Sequence, residues 1–214
     1  MKRNLTELVF ILDRSGSMAG LEADVTGGFN AMIARQKREK GEAYVSTVLF
    51  STDSVVLHDR VPVSQLAPMT ARDYCPGGCT ALLDAVGDAI RHIGNVHKYA
   101  RREDVPEHTI VIINTDGEEN ASRRHSVEKV REMIRRQQEK YGWEFIFLGA
   151  NIDAVQTAAH MGIAASRAAQ YRSDSEGTRR NFEAMDRALC CMRAGGEIGD
   201  DWKSELEKDN ARRR

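Results

Sequence analysis

Five oxygen-bearing side chains in three separate stretches of this sequence have the types and spacing to hold a hard divalent cation: Asp13, Ser15 and Ser17, then Thr80, then Asp116. The first three alternate in Asp13-Arg14-Ser15-Gly16-Ser17, so an extended backbone can turn all three side chains to one side, and Gly16 lets the chain bend there. Thr80 follows the Gly-rich segment Pro76-Gly77-Gly78, and Asp116 lies in Asn114-Thr115-Asp116-Gly117. Two carboxylates and three hydroxyls, with no soft donor among them, suit Mg²⁺, which prefers octahedral oxygen ligation and keeps some waters, with Mn²⁺ or Ca²⁺ as alternatives. Ser and Asp just after a strand are ordinarily turn and N-cap residues, so the metal reading depends on elements that bring the three stretches together.

Those elements follow from short β-rich apolar runs that alternate with stretches of helical periodicity, the pattern of an α/β fold. Leu5 to Leu12 reads as the first strand; its run Leu8-Val9-Phe10-Ile11-Leu12 is continuously apolar, as for a central strand covered on both faces. Val25, Phe29, Met32 and Ile33 mark a helix, in which Gly27 and Gly28 each cost about 1 kcal/mol relative to Ala. Tyr44 to Phe50 and Val55 to Val63 are too closely joined for a crossover helix and predict an antiparallel hairpin, with Pro62 placing the second strand at a sheet edge. Leu82, Val86, Ile90 and Ile93 give the next helix one apolar face, with Asp84, Asp88 and Arg91 expected in solvent. Thr109 to Asn114 is a buried strand, followed by a helix through Val127, Val130 and Ile134 that stops at Gly142.

Trp143 to Gly149 is a fifth strand, Asp153 and Gln156 a capping box, Ala168 to Tyr171 a weak sixth strand, and Ser173 with Glu176 a second capping box. Phe182, Met185, Leu189 and Met192 form the apolar face of the helix that follows. The expected architecture is a Rossmann-like open, mostly parallel β-sheet with one antiparallel edge strand and helices on both faces. One domain is expected over residues 4–193, with the charged segment 194–214 frayed. Ligands of such sheets sit beyond the carboxyl ends of the strands, where Asp13 and Asp116 fall and where the Gly-rich loop can deliver Thr80.

Asp13-x-Ser15-x-Ser17, then Thr80, then Asp116 resemble the metal-ion-dependent adhesion site (MIDAS) of von Willebrand factor A (vWA) domains, in a bacterial-type, cytoplasmic single-domain form. Asp13-Arg14-Ser15-Gly16-Ser17-Met18, Gly78-Cys79-Thr80-Ala81-Leu82-Leu83-Asp84-Ala85 and Thr115-Asp116-Gly117 carry the likeness, which extends over roughly residues 4 to 193. The resemblance implies that both serines and the threonine bind the metal directly or through water. It further implies that the aspartates complete the shell and that a carboxylate from a protein partner fills the open position. Glu118, Glu119 and Asn120 are candidates for the rim of that face, although a solvated loop is the better account of them.

Composition bounds the alternatives. The 214 residues carry 31 basic and 32 acidic side chains, a formal charge of −1, which provides no global field for nucleic acid or an anionic membrane. No stretch is long and apolar enough to span a bilayer, and Leu8 to Leu12, flanked by Glu7 and Asp13, lacks the apolar length of a signal peptide, so the expected location is the cytoplasm. Four cysteines, two of them adjacent, do not make a disulfide framework; Cys75 and Cys79 flank Pro-Gly-Gly and raise the question of a redox-sensitive pair.

The expected function is a Mg²⁺-dependent protein-interaction module, not an enzyme, serving as an adaptor in a larger cytoplasmic assembly. One rival is a metal-dependent hydrolase or phosphatase, since an aspartyl nucleophile can occupy the place of Asp13; Ser15, where such enzymes resemble Asp-x-Asp, deprives it of a general acid. The other is an RNA-binding module, for which the basic residues Arg123, Arg124, Arg131, Arg135 and Arg136 are better read as a solvated face.

Overall fold

A computed structural model describes residues 1–213. Its order is β1 (Lys2–Asp13), α1 (Glu22–Gln36), β2 (Glu42–Phe50), β3 (Ser54–Pro62), α2 (Leu82–Tyr99), β4 (Pro106–Thr115), α3 (Val127–Tyr141), β5 (Glu144–Gly149), α4 (Ala154–His160), β6 (Ala168–Gln170), α5 (Ser175–Arg193) and α6 (Ser204–Arg212). The strands form one sheet in the order β3-β2-β1-β4-β5-β6. All neighbours are parallel except β2 and β3, which make the expected antiparallel hairpin and leave β3 at one edge. β1 lies between β2 and β4, with Leu8 opposite both Val45 and Ile110.

Alternation along β1 explains why its apolar run is unbroken. Leu8, Phe10 and Leu12 face α1 and α5, whereas Val9 and Ile11 face α2 and α3, so every position is core. The first face is closed by Phe29 and Met32 of α1 against Phe182 and Met185 of α5, and the second by Val86 and Ile90 of α2 with Val130 and Ile134 of α3. Gly28, unfavourable for a helix by its propensity, has a packing reason: a Cβ there would lie 2.3 Å from the Phe182 ring. α1 and α5 therefore approach more closely than any larger residue would permit.

Three sequence expectations are corrected. Asp84 is not solvated but buried on α2, where its carboxylate accepts the backbone N–H groups of Arg123, Arg124 and His125 at 3.0, 2.8 and 2.9 Å. The cap of α5 is Asp174, whose side chain accepts from Gly177 N, rather than Ser173. Residues 195–213 do not fray through their length, because Ile198, Trp202 and Leu206 are buried against the α1/α5 face. Of these only Leu206 lies in α6; Trp202 sits in the 3-10 turn Asp200–Lys203 and Ile198 in the loop before it, so no single helical stripe carries them. The Trp202 indole donates to the Ser166 carbonyl at 3.0 Å, Lys203 donates to the Ala168 carbonyl at 3.1 Å, and Asn210 donates to the Gln170 carbonyl at 2.5 Å, so this segment covers β6. No helix among the described residues is long and apolar enough to cross a membrane.

Candidate metal centre

The three stretches converge at the carboxyl ends of β1 and β4. β1 delivers Asp13, whose Oδ2 accepts the Thr115 hydroxyl at 2.6 Å and whose Oδ1 accepts the Ser15 N–H at 2.7 Å. Ser15 keeps an extended backbone (φ −63°, ψ 172°) before the 3-10 turn Gly16–Met18, so its hydroxyl and that of Ser17 emerge together, 3.1 Å apart. The Ser17 hydroxyl donates to Asp116 Oδ1 at 2.5 Å, and the Ser173 hydroxyl donates to Asp116 Oδ2 at 3.2 Å. Asp13, Ser15, Ser17 and Asp116 thus share one polar network, although Asp13 and Asp116 lie more than a hundred positions apart in sequence.

Thr80 joins from the loop before α2. Gly16 N donates to the Gly78 carbonyl at 3.0 Å and Gly77 N donates to the Arg14 carbonyl at 2.8 Å, which stitches the Gly-rich segment to the end of β1. Gly78 has φ +79° and lies against Thr52 so closely that a Cβ would meet its Oγ1 at 2.7 Å; only glycine fits this crossing. Asn120 then clamps Thr80 from the other side, its Oδ1 accepting Thr80 N at 2.9 Å and its own N–H donating to the Thr80 carbonyl at 3.0 Å. A Cβ built on Gly117 would lie 3.6 Å from Thr80 Oγ1 and 3.7 Å from Ser17 Oγ, so both hydroxyls flank the space over Gly117. All five predicted residues line one crevice. Ser17 is its exposed member; Asp13, Ser15, Thr80 and Asp116 are buried.

The electrostatics of this crevice are unbalanced. Asp13 and Asp116 are each 1 % exposed, and among the described residues neither forms an ion pair with a basic side chain. Burial pushes the Asp13 carboxyl above the usual carboxylate range, and the negative charge of Asp116 adds to the rise, against the hydrogen bonds from Thr115 and Ser15. Burial likewise pushes up the Tyr74 phenol, which donates to the Asp13 carbonyl and anchors the loop before Thr80. Two buried carboxylates without a counter-charge, ringed by hydroxyls, fit a hard cation in both charge and donor type. Among the described residues there is no group of three or more His, Cys, Asp or Glu side chains placed to hold a metal, so any ion held here depends on the hydroxyls.

Several contributors were not singled out from sequence. Thr115 orients Asp13, and Ser173, read as a helix cap, instead reaches Asp116; the residue adjoining a site aspartate and a serine opening the α5 turn were the available signals. Of the rim candidates, only Glu118 is exposed on the loop without a clamping role. Glu119 accepts the N–H groups of Leu83, Ala121 and Ser122 at 2.9, 2.9 and 2.7 Å, holding the loop after β4 to the first turn of α2. His125, in the same region, packs its ring on Gly87 and lies 3.2 Å from Asp88. Cys75 and Cys79 are both exposed free thiols.

An open six-stranded sheet of this order, with polar residues gathered at the ends of β1 and β4, is the Rossmann-like arrangement on which von Willebrand factor A domains are built. A family model described as VWA domain containing CoxE-like protein matches residues 1–143, and the chain belongs to that family. Solved structures share the fold. A von Willebrand factor type A structure from Catenulispora acidiphila superposes with a TM-score of 0.59 at 14 % identity, covering 87 % of this chain and 43 % of that one. Proximal thread matrix protein 1 from the mussel byssus, in a form with a zinc-occupied MIDAS motif, gives 0.55 at 16 % identity over 86 % of this chain and 46 % of that one. The manganese-loaded TRAP protein of Plasmodium vivax gives 0.55 at 15 % identity over 84 % of this chain and 72 % of that one. The chain spans less than half the length of the first two. No curated protein sequence matches it.

Proposed function

We propose that Asp13, Ser15, Ser17, Thr80 and Asp116 form a MIDAS-type site for a divalent cation, Mg²⁺ in the first instance, and that the protein is a metal-dependent interaction module rather than an enzyme. The observation that carries this reading is the pair of buried carboxylates, Asp13 and Asp116, linked through Ser15 and Ser17 and matched by no basic side chain among the described residues. The cation would supply positive charge that two carboxylates and three neutral hydroxyls leave partly uncompensated, enough to attract an Asp or Glu side chain of a partner protein. The chain's own residues prepare the position: Thr115 and the Ser15 amide hold the Asp13 carboxylate, Asn120 fixes Thr80, and Ser17 marks the open side. Zinc in the MIDAS motif of the mussel protein and manganese in the Plasmodium protein support a divalent ion in this fold. An adaptor role in a larger cytoplasmic assembly is the setting in which such a module acts.

Calorimetric titration with Mg²⁺ and Mn²⁺ tests the assignment. Wild-type protein is expected to show one site, and Asp13→Ala and Asp116→Ala to weaken it by more than about 100-fold while circular dichroism stays unchanged, since loss of a ligand exceeds the effect of losing an outer partner. Wild-type affinity in both variants refutes it. A partner retained from cell extract in Mg²⁺ and released by EDTA tests the interaction itself.

A further inference from the structure

A second cleft lies at the amino ends of the parallel strands, opposite the crevice that holds Asp13 and Asp116. It has a volume of about 1010 Å³ and runs between the C-terminal half of α2, the loop into β4, and the C-terminal half of α3. Lys98 and Arg102 come from the first wall, and Arg136 and Lys140 from the second. None of these four is within ion-pair distance of a carboxylate among the described residues.

Several cations elsewhere on the surface are matched, although others, such as Arg38 and Arg187, also form no ion pair among the described residues. Arg124 bridges Asp84 and Asp88, Arg179 bridges Glu176 and Glu183, and Arg213 bridges Asp174 and Asp209. The one carboxylate lining the cleft, Glu107, accepts the Asn4 amide at 2.8 Å. Four unmatched cations around one concavity repel each other, and in a chain of net charge −1 that concentration is local rather than a consequence of overall charge.

The cleft is also aromatic and apolar. Tyr141 is 51 % exposed at its mouth with Lys140 Nζ 5.4 Å from its ring centre, while Ile90 and Trp143 are buried beneath. Although desolvation acts the other way, Arg136 and Lys140 beside the Tyr141 hydroxyl hold its phenol below the usual range, as a positive local potential requires.

We propose that this cleft binds a nucleoside polyphosphate, with the phosphates between Lys98 and Arg102 on one wall and Arg136 and Lys140 on the other, and the base against the Tyr141 ring. The size is that of a small-ligand site. Unmatched cations supply the charge-assisted hydrogen bonds that phosphate oxygens accept, and the aromatic wall supplies a face for a planar base. The proposal is independent of the metal centre, because none of these residues belongs to it.

Calorimetry of the full chain in EDTA, so that no metal bridges phosphate to the other crevice, decides it. The titrants are adenosine, ADP, ATP, inorganic triphosphate and a short oligouridylate. ADP and ATP are expected to bind at one site, adenosine not to bind, and triphosphate to bind at least about tenfold more weakly than ATP. Reversing Lys98→Glu with Arg136→Glu should weaken ATP by at least about tenfold, and the milder Lys98→Gln with Arg136→Gln should weaken it less. Absence of ATP binding at millimolar concentration, or unchanged affinity in both double variants, overturns the site. Parity of triphosphate with ATP overturns the nucleotide assignment, and tighter binding of the oligouridylate than of ATP overturns the small-ligand assignment in favour of RNA.

Discussion

β1 buries two acidic side chains six positions apart, and they are treated in opposite ways. Glu7, fully buried near the start of the strand, receives Arg60 Nε at 2.9 Å and His97 Nε2 at 3.4 Å. Arg60 reaches it from a bulge in β3, where its own φ is +50°, and is held over the Tyr44 ring at 4.8 Å. Asp13, buried at the end of the strand, receives only neutral donors and faces a second acid. Where an acid serves the fold, the fold brings a cation to it, even at the expense of a left-handed residue in a strand. Asp13 and Asp116 have been left without one, in keeping with the metal site proposed above.

Substitutions can break this contrast. Glu7→Ala is expected to destabilise the protein by about 3–5 kcal/mol, since Arg60 and His97 then lose the acid that pairs them, while metal affinity is retained. Asp13→Asn should do the reverse, leaving the metal-free fold within about 1 kcal/mol of wild type, because its Oδ1 can still accept the Ser15 N–H, its Nδ2 can donate to the Thr115 hydroxyl, and a buried charge is removed. Chemical denaturation in EDTA measures both, and equal losses in the two variants would remove the distinction drawn between them.

Asp84 tests a buried acid held by three backbone amides together with the Arg124 side chain. Burial raises its pKa, yet the N–H groups of Arg123, Arg124 and His125, with the Arg124 side chain, bring it below the usual carboxylate range. Its contribution is therefore full above the unfolded-state pKa and fades as pH falls through the folded one. Asp84→Ala should cost about 2 kcal/mol at neutral pH, and the gap to wild type should narrow in acid below about pH 4. A pH-independent gap would show that packing rather than charge was lost.

The smallest effect belongs to Ser173→Ala, which removes one hydrogen bond from Asp116 and is expected to weaken metal binding by about tenfold with stability unchanged. Calorimetry beside the Asp116→Ala titration provides the scale.

What could be read from sequence followed the strength of the local pattern. The unbroken runs of β1 and β4 announced their burial on both faces, and the carboxyl ends of those strands located Asp13 and Asp116. Thr80 was legible because glycines before it allow the loop crossing that carries it inward. Asp84 was not, because a charged residue next to an apolar helical face reads as solvated, and the loop amides that satisfy it come from some forty residues further along. Ser173 failed for a related reason: Ser and Asp are both good caps, and which of Ser173 and Asp174 turns inward depends on Asp116, a tertiary partner. The segment after Gly195 was obscured by its charges, its three buried apolar side chains being too few to stand out until β6 and α5 offered them a surface.

That final segment has a consequence for how the molecule can be approached. By lying across β6 it conceals one margin of the sheet, while the kink at Arg60 and the proline that ends β3 spoil the other for regular pairing. Neither border is left straight and bare for a neighbour's backbone to extend. Extension of the sheet by a strand from another molecule is thereby disfavoured at both margins.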